Sequence, residues 1–344
     1  MKTALVNLEM FFIPEEQHYD ILMREIGNAD TVIGLALADG FLHTNYSELI
    51  EKISQNVELY IMPGMSCDST YNKVIPFNYN LHMTYNSYKD AKLNQWNSSS
   101  GKFLFLGGVP DRPNRAGLLN KLSKANLLDT AMWSFFKPWT TEQELWCKEY
   151  LGDDYEHVLT LCRKIDDAYE QSKEYGTSPY TASVEWTKDP AWIDPSIFNS
   201  TKFSIISEGV GAGDTKFNYL TEKTYRAFIQ QHPFIFASNP AMFDYMKTLG
   251  FKTFEQYMAI PDYAHIEDEN TRLDAIVENA KYFLNNNIDV SADVEYNYNK
   301  FFELAERNML ILEELHSKFN VPYSTIDKWF GQKGFAHLVR AYGN

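Results

Sequence analysis

Short apolar runs, each followed by a segment with helical spacing, recur along the chain and constrain its fold more than any other feature. Examples are TVIGLALA at 31–38, KFLFLGG at 102–108, KFSIISE at 202–208 and PFIFAS at 233–238. Strands that are apolar on both faces are typical of parallel sheets, because helices cover both sides of such a sheet. The pattern therefore predicts an α/β protein whose parallel strands are joined by crossover helices.

The distribution of these segments along the 344 residues predicts two α/β domains. We assign the first domain to 1–98, because the polar, serine-rich stretch NQWNSSSG at 94–101 is typical of a linker. A second series of strands and helices follows and is assigned to a domain spanning 99–323. A last helical segment, 324–344, is expected to cross back onto the first domain.

The best-defined region is a predicted βαβ unit. It consists of the strand at 202–208, a helix from Thr221 to Gln231 and the strand at 233–238. Asn239 and Pro240 then turn the chain into a short helix that Gly250 closes at its C′ position.

Composition narrows the classes of function. The formal net charge is −15, so the surface as a whole repels nucleic acid, although a local basic patch stays open. The 3 cysteines form no C-x-x-C or Cys/His cluster, which excludes the sequence signatures of a disulfide framework and of structural zinc. The sequence contains no run of 18 apolar residues, the length that a membrane-spanning helix needs. MKTALVNLEMFF does not have the pattern of a signal peptide. We therefore expect a cytoplasmic protein.

Ligands of open parallel sheets bind beyond the carboxyl ends of the strands. The loop VPDRPNR at 109–115 and an amphipathic helix at 116–128 follow one predicted strand, and a glycine-containing loop and a helix follow the strand at 202–208. The segments beyond these strand ends are expected to share one edge of the sheet. The candidate binding residues there are Gly108, Arg112, Arg115, Glu208, Thr221, Glu222 and Lys223.

Lys223 is the least expected residue of this group. A cation in the first turn of a helix opposes the helix dipole by roughly 0.3–1 kcal/mol. Either the lysine is solvated and points away, or an anion docks beside it. Phosphates need cations and helix-terminal N–H groups, and sugar hydroxyls need carboxylates, so the whole group suits a nucleotide diphosphate that carries a sugar. The alternatives to ligand binding are structural roles: Arg112 and Arg115 would form salt bridges in the loop, and Glu208 would cap a helix.

Two segments of the chain resemble the donor-binding half of GT-B glycosyltransferases. They are LFLGGVPDRPNRAGLLNKLSK and LTEKTYRAFIQQHPFIFASNPAMFDYMKTLGFKTFEQY. The pattern T-E-K, a helix, P-F-I, a short helix and G-F-K-T-F is similar to glycosyltransferases of phage and viral genomes, and fucosyltransferases have a comparable T-E-K segment. By this resemblance, Arg112 and Arg115 match phosphate-loop arginines, Glu222 and Lys223 match the T-E-K pair, and Glu208 matches the acidic residue ahead of it.

The resemblance implies a fold and an activity. The fold is α/β with two Rossmann-like domains facing a cleft, the GT-B type, and a helical C-terminal segment. The activity is sugar transfer from a nucleotide-sugar in the second domain to an acceptor hydroxyl, with no cofactor and no bound metal. The acceptor is either a hydroxylated or hydroxymethylated pyrimidine in phage DNA, or a glycan or lipid-linked sugar. A non-catalytic module that binds a nucleotide or glycan is the rival class.

Other motifs fit less well. GVGAGD at 209–214 superficially resembles a dinucleotide fingerprint, but its third glycine comes one residue early and no helix follows directly. An inverting transferase also needs a base to take the acceptor's proton. Asp39, which follows an apolar strand of the first domain and precedes Gly40, is the predicted catalytic base; a retaining enzyme would not need it.

Overall fold

A computed structural model of the protein describes residues 2–7, 20, 23–24, 26–36, 53–55, 58–63, 75–91, 96, 100–108, 113–135, 141–162, 193, 195–208 and 220–321. The chain divides into two compact units. One lies within Met1–Met83 and Glu303–Asn344, and the other within Thr84–Phe302. The domain limits predicted from the sequence stay predictions, and 324–344 lies outside the described residues.

The first unit contains three parallel strands in the order β1-β2-β3. They are β1 (Thr3–Asn7), β2 (Thr31–Ala36) and β3 (Glu58–Pro63). Ile33 of β2 packs against a later helix, since it belongs to one buried cluster with Leu312, Leu315 and Phe319. Such burial is the main source of stability for short strands of this kind.

The second unit contains a four-stranded sheet in the order β5-β4-β6-β7, and every neighbouring pair is parallel. The strands are β4 (Phe103–Gly108), β5 (Ala131–Phe135), β6 (Ser204–Ser207) and β7 (Phe234–Ala237). The predicted α/β class with parallel strands is therefore confirmed. No element was predicted for β5, which is the edge strand of this sheet and whose residues AMWSF are only partly buried.

The α-helices with both ends defined are α1 (Tyr79–Tyr88), α2 (Pro113–Lys124), α3 (Thr141–Leu151), α4 (Pro195–Asn199), α5 (Glu222–Ile229), α6 (Pro240–Thr248), α7 (Glu269–Asn285) and α8 (Ser291–Phe319). The predicted βαβ unit is confirmed, since α5 joins the adjacent parallel strands β6 and β7. Gly250, with a φ of +88°, follows the end of α6 as predicted, because the left-handed conformation suits glycine.

One helix begins earlier than its sequence pattern indicates. The predicted loop at 109–115 ends sooner, and α2 begins at Pro113, since proline is favoured in a first turn where its missing N–H is not needed. Arg115 therefore lies in a helix rather than in a loop.

Aromatic side chains form much of the core of the second unit. Phe228 of α5 stacks on Phe251 with ring centroids 3.8 Å apart, and Phe103 of β4 stacks on Phe203 at 5.4 Å. All four rings are buried. Of the helices in the described part of the chain, none has both the length and the apolar composition that crossing a membrane requires.

Candidate functional site

The order of the strands creates a crevice between β4 and β6. From β4 the chain passes to β5 on one side of the sheet, whereas β6 and β7 lie on the other side. Right-handed crossovers, the usual hand, then place α2 and α5 on opposite faces. The strand order therefore reverses direction between β4 and β6, and such a topological switch point is where open α/β sheets bind ligands.

A small cleft of about 30 Å³ lies beside these two strands. Leu104 and Leu106 of β4 and residues 204–207 of β6 form its sheet side. Two cations of α5, Lys223 and Arg226, also line it. We refer to it as the switch-point cleft.

Lys223 turns back over the start of its own helix instead of extending into solvent. Its backbone N–H donates to Thr221 Oγ1 at 3.3 Å, which makes Thr221 the N-cap of α5 as predicted. Its Nζ lies 3.5 Å from the same hydroxyl and 3.2 Å from Glu222 Oε1, and its side chain is only 23% exposed. The expectation of a fully solvated lysine therefore does not describe this residue.

Glu222 holds the two cations of the cleft together. Its Oε1 accepts from Lys223 Nζ at 3.2 Å and from Arg226 Nη2 at 3.3 Å. Burial opposes the charged form of Glu222, but Lys223 and Arg226 outweigh it and lower the pKa of this carboxyl below its usual value. Glu222, Lys223 and Arg226 thus place two positive charges and one negative charge along the first five residues of α5.

Glu208 accepts hydrogen bonds from the first residues of this helix and from its cap. It follows β6 directly and is fully buried. Its carboxylate accepts from Thr221 N at 3.0 Å and from the hydroxyls of Thr221 and Thr224. This is the helix-capping alternative for Glu208, and it gives the residue a positioning role under Lys223.

Two buried polar atoms flank the switch point without a hydrogen-bond partner among the described residues. They are Ser207 Oγ at the end of β6 and Asn114 Oδ1 in the first turn of α2. Ser207 is 1% exposed and also lines the cleft. A buried polar atom left without a partner costs about 1–3 kcal/mol, so such atoms in a native structure call for a reason. A bound ligand with polar groups would supply one.

Of the other predicted site residues, Arg115 and Gly108 lie within the described ranges. Arg115 is buried in the first turn of α2, and Gly108 ends β4. Its neighbour Gly107 has a packing reason, because an added Cβ would come 2.3 Å from the ring of Phe135. Asp39, Arg112 and the loop 209–214 lie outside the described residues, so the predictions on them stay open.

Sequence reasoning missed three members of the site: Arg226, Ser207 and Asn114. Arg226 had a usable signal, since Glu222 and Arg226 are four residues apart on a predicted helix. Ser207 and Asn114 had none, because a serine or an asparagine beside a strand end is ordinary. Their significance follows from burial without a partner, which only the tertiary structure reveals.

Within the described ranges, no group of three or more His, Cys, Asp or Glu side chains could hold a metal ion. Comparisons of the chain with protein-family models, with curated proteins and with solved structures found no match.

Proposed function

We propose that the protein is a glycosyltransferase that takes its sugar from a nucleotide-sugar held along the carboxyl edge of the sheet, with its diphosphate beside the switch-point cleft. The observation that carries this proposal is the pair of cations on α5, Lys223 in the first turn and Arg226 one turn later, which line a cleft beside the adjacent parallel strands β4 and β6. A helix start that also carries cations is suited to phosphate. The GT-B arrangement of two Rossmann-like domains, with the donor in the second, is part of the same proposal.

The partnerless polar atoms support a ligand larger than a lone anion. Ser207 Oγ can donate to a phosphate oxygen, and Asn114 Oδ1 can accept from a ribose or sugar hydroxyl. Ser207 ends β6, and Asn114 lies in the first turn of the helix that follows β4. A nucleotide-sugar has both kinds of group.

The proposed reaction breaks the bond between the anomeric carbon and the diphosphate oxygen and forms a bond from that carbon to the acceptor oxygen. The acceptor's proton passes to a base, for which Asp39 is the candidate in an inverting mechanism. The nucleoside diphosphate leaves with the electron pair of the broken bond. Lys223 and Arg226 would stabilise the charge that develops on it, which is the role of electrostatic groups in such a transition state.

Thermal unfolding with a panel of nucleoside diphosphates and nucleotide-sugars tests the proposal. A ligand at a hundred times its Kd stabilises the native state by about 2.7 kcal/mol and raises Tm. We expect Tm to rise with the nucleotides of one nucleobase, and we expect this rise to be lost in Lys223→Ala. Release of the nucleoside diphosphate in the presence of an acceptor panel then tests turnover.

Lys247→Ala is the matched control. Lys247 also lies in a helix after a strand of the same sheet and forms an ion pair, with Glu255 at 2.7 Å. Each variant is compared with its own ligand-free Tm, because removal of an ion pair shifts stability by itself. No Tm shift with any nucleotide, or an equal shift in Lys223→Ala and Lys247→Ala, would contradict the donor site; binding without turnover would favour a non-catalytic module.

A further inference from the structure

A second cleft, of about 380 Å³, lies on the helical layer of the second unit. Helices α2, α3 and α7 form its walls, so we refer to it as the helical cleft. Its volume falls in the range of small-molecule sites. None of the residues assigned to the switch-point cleft lines it.

The charges of the helical cleft balance. Lys121 pairs with Asp274 at 2.5 Å, and Lys124 pairs with Asp154 at 2.6 Å. Lys281 pairs with Glu278 at 2.7 Å, so each lysine of the lining has an acidic partner within the lining. A strongly anionic or cationic ligand would have to break these pairs. A neutral ligand rich in hydroxyls can instead donate to the carboxylates and accept from the ammonium groups.

Asn120 adds a fixed hydrogen-bond acceptor to this lining. Its Nδ2 donates to Asp154 Oδ2 at 2.7 Å, which fixes the orientation of the amide. Its Oδ1 has no hydrogen-bond partner in the described part of the chain, although the residue is buried. A buried amide oxygen of this kind is costly unless a donor reaches it. A ligand hydroxyl in the cleft is such a donor.

The ring of Tyr150 forms a rigid apolar wall. Its hydroxyl lies near the carboxyl group of Glu269, and its ring packs on Gly117. A Cβ added at Gly117 would come 2.7 Å from Tyr150 Cε1. A glycine inside a helix costs about 1 kcal/mol relative to alanine, and close approach of this ring accounts for it. Such a ring offers a flat face for the C–H face of a sugar.

The aromatic surface extends beyond the cleft along α3. Trp146 lies four residues before Tyr150 and so on the same side of the helix. It is 44% exposed, and Tyr150 is 38% exposed. Two neighbouring aromatic rings at the end of a polar cleft suit a ligand of more than one ring.

We propose that the helical cleft binds a neutral saccharide of two or more units, with one unit in the cleft and the next over Trp146. This site goes beyond the proposed function and does not depend on it, because binding needs neither the nucleotide nor Lys223. If both proposals hold, the acceptor is a glycan rather than DNA, and the helical cleft retains it near the enzyme.

Saturation-transfer NMR on the full chain tests the site, with glucose, galactose, maltose and lactose as probes at millimolar concentration. We expect transfer to at least one disaccharide and weaker transfer to its monosaccharide. Loss of one aromatic contact, worth about 1 kcal/mol, should weaken binding about fivefold in Tyr150→Ala and in Trp146→Ala. Tyr150→Phe keeps the ring and should keep binding.

Tyr282→Ala is the matched control, because Tyr282 lies on α7, is 40% exposed and does not line the cleft. Binding should be unchanged in Tyr282→Ala and in Lys223→Ala. Trp146→Ala keeps the test valid if Tyr150→Ala does not fold. Absence of transfer to every probe, or equal transfer in all variants, would overturn the proposal. The proposal would also be overturned if an oligonucleotide bound in a manner that depends on Tyr150 and Trp146 while none of the saccharides bound.

Discussion

Helices α5 and α6 both begin where a strand of the same sheet ends, but their first turns are built differently. At α6, Asn239 Oδ1 accepts from Met242 N at 2.8 Å, Pro240 occupies the first turn, and no acidic residue follows there. At α5, the cap Thr221 rests on the buried carboxylate of Glu208, and charged side chains surround it.

The difference separates what a helix start requires from what it does not. One cap side chain is enough for α6, because it satisfies a free N–H of the first turn. The buried carboxylate of Glu208 and the cations Lys223 and Arg226 on α5 exceed that requirement. Extra charge of this kind is typical of a binding site, so we expect α5 and α6 to respond differently to mutation and to ligand.

The largest expected effect comes from Glu208→Ala. Thr221 and Thr224 would lose the acceptor of three hydrogen bonds in a buried place, and the free energy of unfolding should fall by about 4 kcal/mol. Urea unfolding measures it. Glu208→Gln keeps one acceptor oxygen and should lose less. A loss in Glu208→Ala of only about 1 kcal/mol, the value of an ordinary cap, would remove the contrast between α5 and α6.

The second effect concerns the far end of α5. His232 follows this helix. Its Nδ1 accepts a hydrogen bond from Ser204 Oγ at 2.9 Å, and its Nε2 donates one to Thr201 O at 3.0 Å. Burial lowers its pKa from 6.5 to about 4. Between these two values the unfolded chain binds the proton and the native protein does not, so stability falls as the pH falls through this window.

The pH effect of His232 should reach about 3 kcal/mol when the pH has fallen to its native pKa. Urea unfolding from pH 7 to 4.5 measures it, with His232→Gln as the variant that should flatten the dependence. His265→Gln is the control, since His265 is exposed beside Asp244. An identical pH dependence in wild type and His232→Gln would contradict this assignment.

A third prediction distinguishes packing from phosphate binding at the end of β4. Gly107→Ala places a methyl group 2.3 Å from the ring of Phe135 and should destabilise the protein by about 2 kcal/mol. Nucleotide binding by the folded variant should be unchanged. A normal stability together with lost nucleotide binding would instead make Gly107 a ligand contact.

The smallest effect is expected at α6. Asn239→Ala removes the cap bond to Met242 N and should cost about 1 kcal/mol. The ligand-induced rise in Tm should be the same as in wild type, because α6 does not line the switch-point cleft. A loss of that rise would show that the helix starts of α5 and α6 act together.

The sequence was most informative where local signals agreed. Thr221 as an N-cap, Asn239 followed by Pro240, and Gly250 after the helix end are chemical signals read within a few residues, and all three were confirmed. It was least informative for β5 and α1, to which no element was assigned. Neither has a long apolar run or strong helical spacing, so their structure depends on neighbours that are distant in the chain.

The sequence by itself determined that the chain is an α/β protein with parallel strands and that a helix capped by Thr221 has Lys223 in its first turn. Only the tertiary structure decided the strand order β5-β4-β6-β7, and with it the position of the switch point. It also decided that Glu208 accepts a hydrogen bond from the cap residue Thr221, and that Ser207 Oγ and Asn114 Oδ1 have no hydrogen-bond partner within the described ranges. The physical reason is that strand order and burial depend on contacts between segments far apart in the chain, and local residue patterns do not encode them uniquely.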